Sequence, residues 1–72
     1  MSHVKMFYDE LKRDIGNSIT RGEIMKNKDK GMMYLKRIQK SPMIKRNVKS
    51  EARKEYRNII RLSKMKIKSL KK

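Results

Sequence analysis

The chain has 72 residues with 22 Lys or Arg against 7 Asp or Glu, which gives a net charge of +15 when its histidine is neutral. That length suits a single small domain spanning residues 1–72, and the absence of cysteine excludes a disulfide scaffold or a cysteine-based zinc site. Because the sequence contains neither an apolar run near the ~18–20 residues of a membrane span nor a signal-peptide pattern at its start, it predicts a cytoplasmic protein.

The first predicted element is an amphipathic helix. Its apolar residues recur at the spacing of one helical face and are Val4, Phe7, Tyr8, Leu11 and Ile15. Ser2 is placed to cap its start. Gly16 followed by Asn17 predicts its end, because glycine tolerates the left-handed conformation that often follows a last helical turn.

A second helix is predicted to begin after Thr20. Thr20 and Glu23 have the spacing of a capping box, in which the Thr hydroxyl accepts a hydrogen bond from the backbone N–H of Glu23 and the Glu carboxylate reaches back. Ile19 before the cap and Ile24 after it have the spacing of a hydrophobic staple. Both features predict the same helix start.

Residues 27–31 leave two interpretations open, because they contain no apolar side chain. They form either a turn, with Asp29 capping a further helix over residues 32–40, or an exposed part of one helix over residues 21–40. We favour the turn, in which case the two segments could pair as in a helix-turn-helix. Ser41 and Pro42 then end the segment and open another, since proline suits the first helical position.

The last predicted element runs from Met43 almost to the end of the chain. Its apolar residues share one broad helical face and are Ile44, Val48, Ala52, Tyr56, Ile59, Ile60, Ile67 and Leu70. The run is either one long helix or two, with Ser50 beginning the second after a split near Lys49. The predicted fold is therefore all-α, a small bundle of three or four helices with a long basic C-terminal helix.

The positive charge is concentrated in this last element. Residues 1–35 contain seven basic and five acidic side chains, whereas residues 36–72 contain fifteen basic and two acidic ones. We therefore interpret residues 1–40 as charge-balanced bracing helices and residues 41–72 as a basic segment that faces a polyanion. Glu51 and Glu55 fall on one flank of the last helix, and six cations fall on the opposite flank, between about 100° and 180° from Ala52 on a helical wheel. This basic stripe consists of Arg53, Arg57, Arg61, Lys64, Lys68 and Lys71.

A regular row of cations is typical of proteins that neutralise backbone phosphates, so we expect nucleic-acid binding. Duplex DNA is favoured slightly over structured RNA, because a helix enters the major groove of B-form DNA but not the narrow one of A-form RNA. Tyr34, which has basic neighbours, is the candidate for stacking on a base. The remaining candidate phosphate contacts, the flanking cations, are Lys36, Arg37, Lys40, Lys45, Arg46 and Lys49.

The alternative is a small regulatory protein that binds an acidic surface of a larger protein. Leu62 and Met65 lie off the main apolar face, so we expect them to be exposed and to contact a protein partner or a second copy of the chain. Membrane binding is disfavoured, because the apolar face of the last helix contains Ala52 and Ser63 and no Trp.

No enzymatic activity, cofactor or metal is expected. His3 has no neighbouring ligand residues, and the sequence has no glycine-rich phosphate loop and no cysteine nucleophile. Two carboxylate pairs have helical i, i+4 spacing, but nearby Lys and Arg favour ion pairing over acid–base chemistry. These pairs are Glu10 with Asp14 and Glu51 with Glu55.

Overall fold

A computed structural model describes residues 3–70, which form three α-helices and no strand. The helices are α1 (His3–Asn17), α2 (Arg21–Lys40) and α3 (Arg46–Leu70). The predicted all-α bundle is confirmed, with three helices rather than four. Its core is built from the apolar faces of all three helices, and its buried apolar residues are Val4, Tyr8, Leu11, Ile15, Ile24, Ile38, Ala52, Tyr56 and Ile59.

The end of α1 lies at Asn17 as predicted, but its mechanism differs. No glycine in residues 3–70 has a positive φ, so the predicted left-handed cap at Gly16 is wrong. Ser18 closes the helix instead: its backbone N–H donates to the Ile15 carbonyl at 3.1 Å and its hydroxyl donates to the Asp14 carbonyl at 2.7 Å. These bonds satisfy carbonyls that a helix end otherwise leaves free. The cap predicted at Ser2 lies outside the described residues.

The start of α2 confirms the Thr20 half of the predicted capping box. Thr20 has an extended backbone, and its hydroxyl accepts a hydrogen bond from the Glu23 N–H at 3.3 Å. The predicted staple is wrong, because Ile19 remains 77% exposed while Ile24 is fully buried. Thr20 thus sets the helix start through its hydroxyl, and Ile19 adds little apolar burial.

Helix α2 continues without interruption through residues 27–31, so the favoured turn is wrong. Tertiary packing favours the continuous helix, because Gly31 lies within α2 and is buried where α1 and α3 pack against it. The Tyr8 hydroxyl donates to the Gly31 carbonyl at 2.9 Å, and a Cβ there would lie 3.3 Å from Leu11 Cδ1 and 3.4 Å from the Tyr56 ring. The missing side chain lets α1 and α3 approach α2 closely. The predicted helix-turn-helix pairing is also wrong, because its two segments are one helix.

The connection between α2 and α3 spans residues 41–45 and contains a turn at Pro42 and Met43. Ser41 has the extended backbone (φ −77°, ψ 122°) that a following proline favours, so α2 ends at Lys40 as predicted. The prediction that Pro42 opens the next helix is wrong, because α3 begins at Arg46. The helix then runs unbroken through Ser50, which leaves no split near Lys49.

The helices alternate in direction. Phe7 meets Tyr34 near the start of α1, and Asp14 borders the same depression as Lys26 near its end, so α1 and α2 are antiparallel and α3 returns alongside α1. Two contacts show the parallel course of α1 and α3: Lys12 meets Glu55, and the Lys66 ammonium donates to the Gly16 carbonyl at 2.9 Å. One flank of α3 therefore faces α1, and its other flank borders α2. The surface of α3 opposite the core points outward.

Candidate nucleic-acid interface

The basic stripe lies on the outward surface of α3. Five of its cations belong to the described residues, and all five side chains are exposed, while Lys71 lies outside the described residues. Because α3 is one continuous helix, the cations from Arg53 to Lys68 extend over about 22 Å at 1.5 Å per residue. The predicted alignment of positive charge along one flank is present in the fold.

The stripe has no carboxylate partner within residues 3–70. Two ion pairs in this range join the Lys12 ammonium to Glu55 at 3.0 Å and to Asp9 at 3.7 Å. The Glu55 side chain is only 15% exposed, because it points from α3 toward α1. The carboxylate of Glu55 therefore compensates a cation on α1, and the positive charge of the stripe stays uncompensated.

The flanking cations surround the turn between α2 and α3. Five of them are exposed, and Lys49 is half-buried. Lys49 and the stripe residue Arg53 meet at a polar side chain that was not among the predicted site residues, Gln39 near the end of α2. No sequence pattern marks Gln39, because a single glutamine late in a helix is equally common on an inert surface.

Gln39 makes three hydrogen bonds to α3. Its side-chain N–H donates to the Lys49 carbonyl at 3.2 Å, and its side-chain oxygen accepts from Arg53 Nη2 at 3.4 Å. The Lys49 ammonium donates to the Gln39 backbone carbonyl at 3.1 Å. Around these groups lies an open depression of about 670 Å³, which we call the basic basin; it is lined by Gln39, Arg46, Asn47, Lys49, Ser50 and Arg53.

Tyr34, the predicted base-stacking residue, is half-buried. Its ring stacks on Phe7 with a centroid distance of 4.0 Å and an interplanar angle of 23°, and it meets the edge of Tyr8 at 5.7 Å. One face of the ring is therefore occupied within the protein. Only the opposite face of the Tyr34 ring could stack on a base.

Leu62 and Met65 have different environments. Leu62 is half-buried against the core, so the prediction that it is exposed is wrong. Met65 is 63% exposed and borders two depressions of about 440 Å³ and 210 Å³ on α3. The larger one is also lined by Ile67 and by three stripe cations, Arg61, Lys64 and Lys68. Met65 is thus an apolar side chain among cations.

The core tyrosines add no charge to this surface at neutral pH. Burial raises the pKa of the Tyr8 hydroxyl, and nearby Tyr34 raises it further. Burial also raises the pKa of Tyr56, with a smaller contribution from Asp29. Tyr8 donates its proton to Gly31, whereas the buried Tyr56 hydroxyl has no hydrogen-bond partner within the described residues.

The part of the chain that the structure describes contains no group of three or more His, Asp or Glu side chains placed to hold a metal ion. In the same range, no helix combines the length and the apolar character that crossing a membrane requires. No family model, curated protein or solved structure matches the chain.

Proposed function

We propose that this protein binds nucleic acid through contacts between the basic stripe and backbone phosphates. One observation carries the proposal: five exposed cations follow one flank of a continuous 25-residue helix, and none of the five has a carboxylate partner within residues 3–70. A charged side chain that serves only solubility needs no such segregation by sign. Uncompensated charge of one sign on one surface favours a ligand of the opposite sign.

The chemistry of the stripe suits phosphate. Each cation that neutralises a phosphate releases condensed counterions, which strengthens binding at low salt. Arginine adds a planar fork of N–H donors that matches two phosphate oxygens, and three of the five exposed stripe residues are arginines. Neighbouring stripe positions are three or four residues apart, or about 5 Å along the helix axis, so several phosphates are within reach at once.

Duplex DNA is our preferred target over structured RNA. The outward surface of α3 projects away from α1 and α2, so the helix is free to approach the major groove of B-form DNA, which is about 12 Å wide. The corresponding groove of A-form RNA is too narrow for a helix. From Arg46 to Lys68 the cations extend over about 33 Å, close to one turn of B-form DNA, which predicts a contact region of about ten base pairs.

The test is a titration of a 20-base-pair DNA duplex and of a folded RNA hairpin across a salt series. Neutralisation of about six phosphates gives an expected slope of about −5 for log K against log salt on the duplex. Absence of binding to both polymers at about 50–100 mM salt, where such contacts are strong, would overturn the proposal. Tighter binding to the hairpin would overturn only the preference for DNA.

A second candidate function rests on Met65. An exposed methionine rimmed by Arg61, Lys64 and Lys68 is suited to an acidic protein surface that carries an apolar side chain. A synthetic acidic peptide with leucines at i, i+4 spacing tests this function. Binding that is lost in Met65→Ser, together with no binding to DNA or RNA, would make regulation of a larger protein the better account.

A further inference from the structure

We infer that the basic basin is a preformed site for a phosphate group, separate from the rest of the stripe. The basin is an open depression of about 670 Å³, and it lies where the end of α2 meets the first turns of α3. Three of the six residues that line it are cations: Arg46, Lys49 and Arg53. No carboxylate lines it, so an anion that enters meets no charge of its own sign.

Two of the three cations of the basin are held in place by a neutral residue. The Gln39 side-chain oxygen accepts from Arg53, and the Gln39 backbone carbonyl accepts from the Lys49 ammonium. A glutamate at this position would hold the same cations but would cancel part of their charge. Glutamine restricts their motion and leaves the positive charge intact, which lowers the entropy cost of binding an anion.

Enough hydrogen-bond donors remain for a ligand. A guanidinium has five N–H donors and Arg53 uses one on Gln39, while an ammonium has three and Lys49 uses one. Arg46 is exposed and makes no ion pair within residues 3–70, and the exposed Ser50 hydroxyl lies on the same rim. Several donors that converge on one open space favour a ligand with several acceptor oxygens, which a phosphate group provides.

This inference goes beyond the proposed function, because a small oligophosphate would fill the basin with no contact to the stripe other than Arg53. The phosphate group could equally belong to a nucleic-acid strand that also crosses the stripe. Both sources share the chemistry that the basin recognises, and a two-armed experiment separates them. Its first arm uses tripolyphosphate, which carries no base or sugar, and its second arm uses a DNA duplex.

The first arm is an NMR titration of the ¹⁵N-labelled protein with sodium tripolyphosphate. The expected shifts are largest at the Gln39 side-chain amide and at the backbone amides of Asn47 and Ser50. In Gln39→Glu, a new carboxylate enters the basin, and we expect tripolyphosphate affinity to fall about tenfold or more. The matched control is Asn58→Asp, which adds the same charge to an exposed position on α3 outside the basin; there the affinity should change less than about twofold.

A further variant, Gln39→Leu, tests positioning without a change of charge. It removes the side-chain hydrogen bonds to Arg53 and Lys49, so we expect a loss of tripolyphosphate affinity of about threefold at constant net charge. Helical circular dichroism of each variant confirms that the fold is retained. Equal losses in Gln39→Glu and Asn58→Asp, or shifts spread evenly over α3, would overturn the inference, because general attraction to a basic protein would then explain the binding.

The second arm repeats the comparison with the duplex. A loss of duplex affinity in Gln39→Glu that exceeds the loss in Asn58→Asp assigns the basin to a nucleic-acid phosphate. An equal effect of the two variants on the duplex, with the tripolyphosphate difference maintained, assigns it to a free oligophosphate. If neither the duplex nor the RNA hairpin binds, the proposed function fails while the tripolyphosphate result still decides the basin.

Discussion

On the flank of α3 that faces α1, the Glu55 carboxylate is 15% exposed and accepts two hydrogen bonds from the Lys12 ammonium, at 3.0 and 3.2 Å. On the outward surface, Arg57, Arg61 and Lys64 are exposed and have no carboxylate partner within residues 3–70. The same helix thus compensates charge where it packs and leaves charge uncompensated where it meets solvent. Packing against α1 requires compensation, because a half-buried lone charge is costly, whereas the outward surface has no such requirement.

The uncompensated surface has an energetic consequence. Mutual repulsion among like charges opposes a compact fold, and a domain of this size has little stability in reserve. A polyanion that binds the folded protein would relieve the repulsion and raise the melting temperature by mass action. The two sides of α3 should therefore respond differently to substitution, one through stability and the other through binding.

The largest expected effect comes from the outward surface. Changing Arg57, Arg61 and Lys64 together to Ala should weaken duplex binding several-hundredfold near 0.1 M salt and reduce the salt slope by about 2.7, since about three phosphate contacts are lost. The free energy of unfolding should stay constant or rise, because repulsion falls and alanine favours helix. Fluorescence anisotropy and urea unfolding measure the two quantities.

A matched triple variant controls for net charge. Arg13, Lys26 and Lys30 are exposed on α1 and α2, and the two lysines border a depression that also contains Asp14 and Glu23. Changing these three cations to Ala removes the same charge from a surface that already has carboxylates. Duplex affinity should fall far less than in the stripe variant. Equal losses in both triples would show that only the total charge of the protein matters.

The next effect concerns the compensated side. Glu55→Gln removes the ion pair to Lys12, and we expect the free energy of unfolding to fall by about 1–2 kcal/mol, limited by the partial exposure of Lys12 to solvent. Duplex affinity should change less than about twofold, because the carboxylate lies away from the stripe. Glu10→Gln, at an exposed position on α1, is the control for stability. A large gain in duplex affinity in Glu55→Gln would contradict the separation of the two sides.

The Tyr8 hydroxyl lies in the core between α1 and α2, and its removal should lower the free energy of unfolding by about 1 kcal/mol. Tyr8→Phe breaks the buried hydrogen bond to the Gly31 carbonyl without changing any surface charge, so urea unfolding should detect the loss while duplex affinity stays constant. A decrease in duplex affinity at constant helical content would show that core packing positions the stripe more strongly than we expect.

The same variant also predicts a difference in alkaline stability. Burial raises the pKa of Tyr8 in the folded protein above the ordinary value of 10.0 that the unfolded chain has. The unfolded chain therefore ionises first, and the stability that Tyr8 contributes is complete below pH 10 and is lost as the pH rises toward the raised value. Between about pH 9 and 11, the melting temperature should fall more steeply in the native protein than in Tyr8→Phe. Parallel curves would contradict this assignment, since lysine titration is common to both proteins.

The smallest expected effect is that of Met65→Ser. Because Met65 is 63% exposed, the free energy of unfolding should change by less than about 0.5 kcal/mol. Duplex affinity should also stay within about twofold, since no charge is altered. Loss of acidic-peptide binding without loss of duplex binding would show that the apolar and basic parts of this surface act separately.

Features that depend on neighbouring residues can be predicted from the amino-acid sequence by itself. The apolar face of α1, the cap at Thr20, the end of α2 before Pro42 and the alignment of the stripe all follow from helical geometry and from short-range hydrogen bonds. Each depends on residues within about four positions of one another, so the linear order of the chain contains the necessary information.

Features that depend on contacts between distant residues required the folded chain. Gly31 continues α2 because Tyr8 and Tyr56, more than twenty positions away, pack where a side chain would be. Gln39 becomes part of the basic basin only when α3 lies beside α2. Neither residue differs in type from an ordinary turn glycine or surface glutamine. Their roles come from which helices approach one another and how closely, and that geometry is set by packing of the whole core.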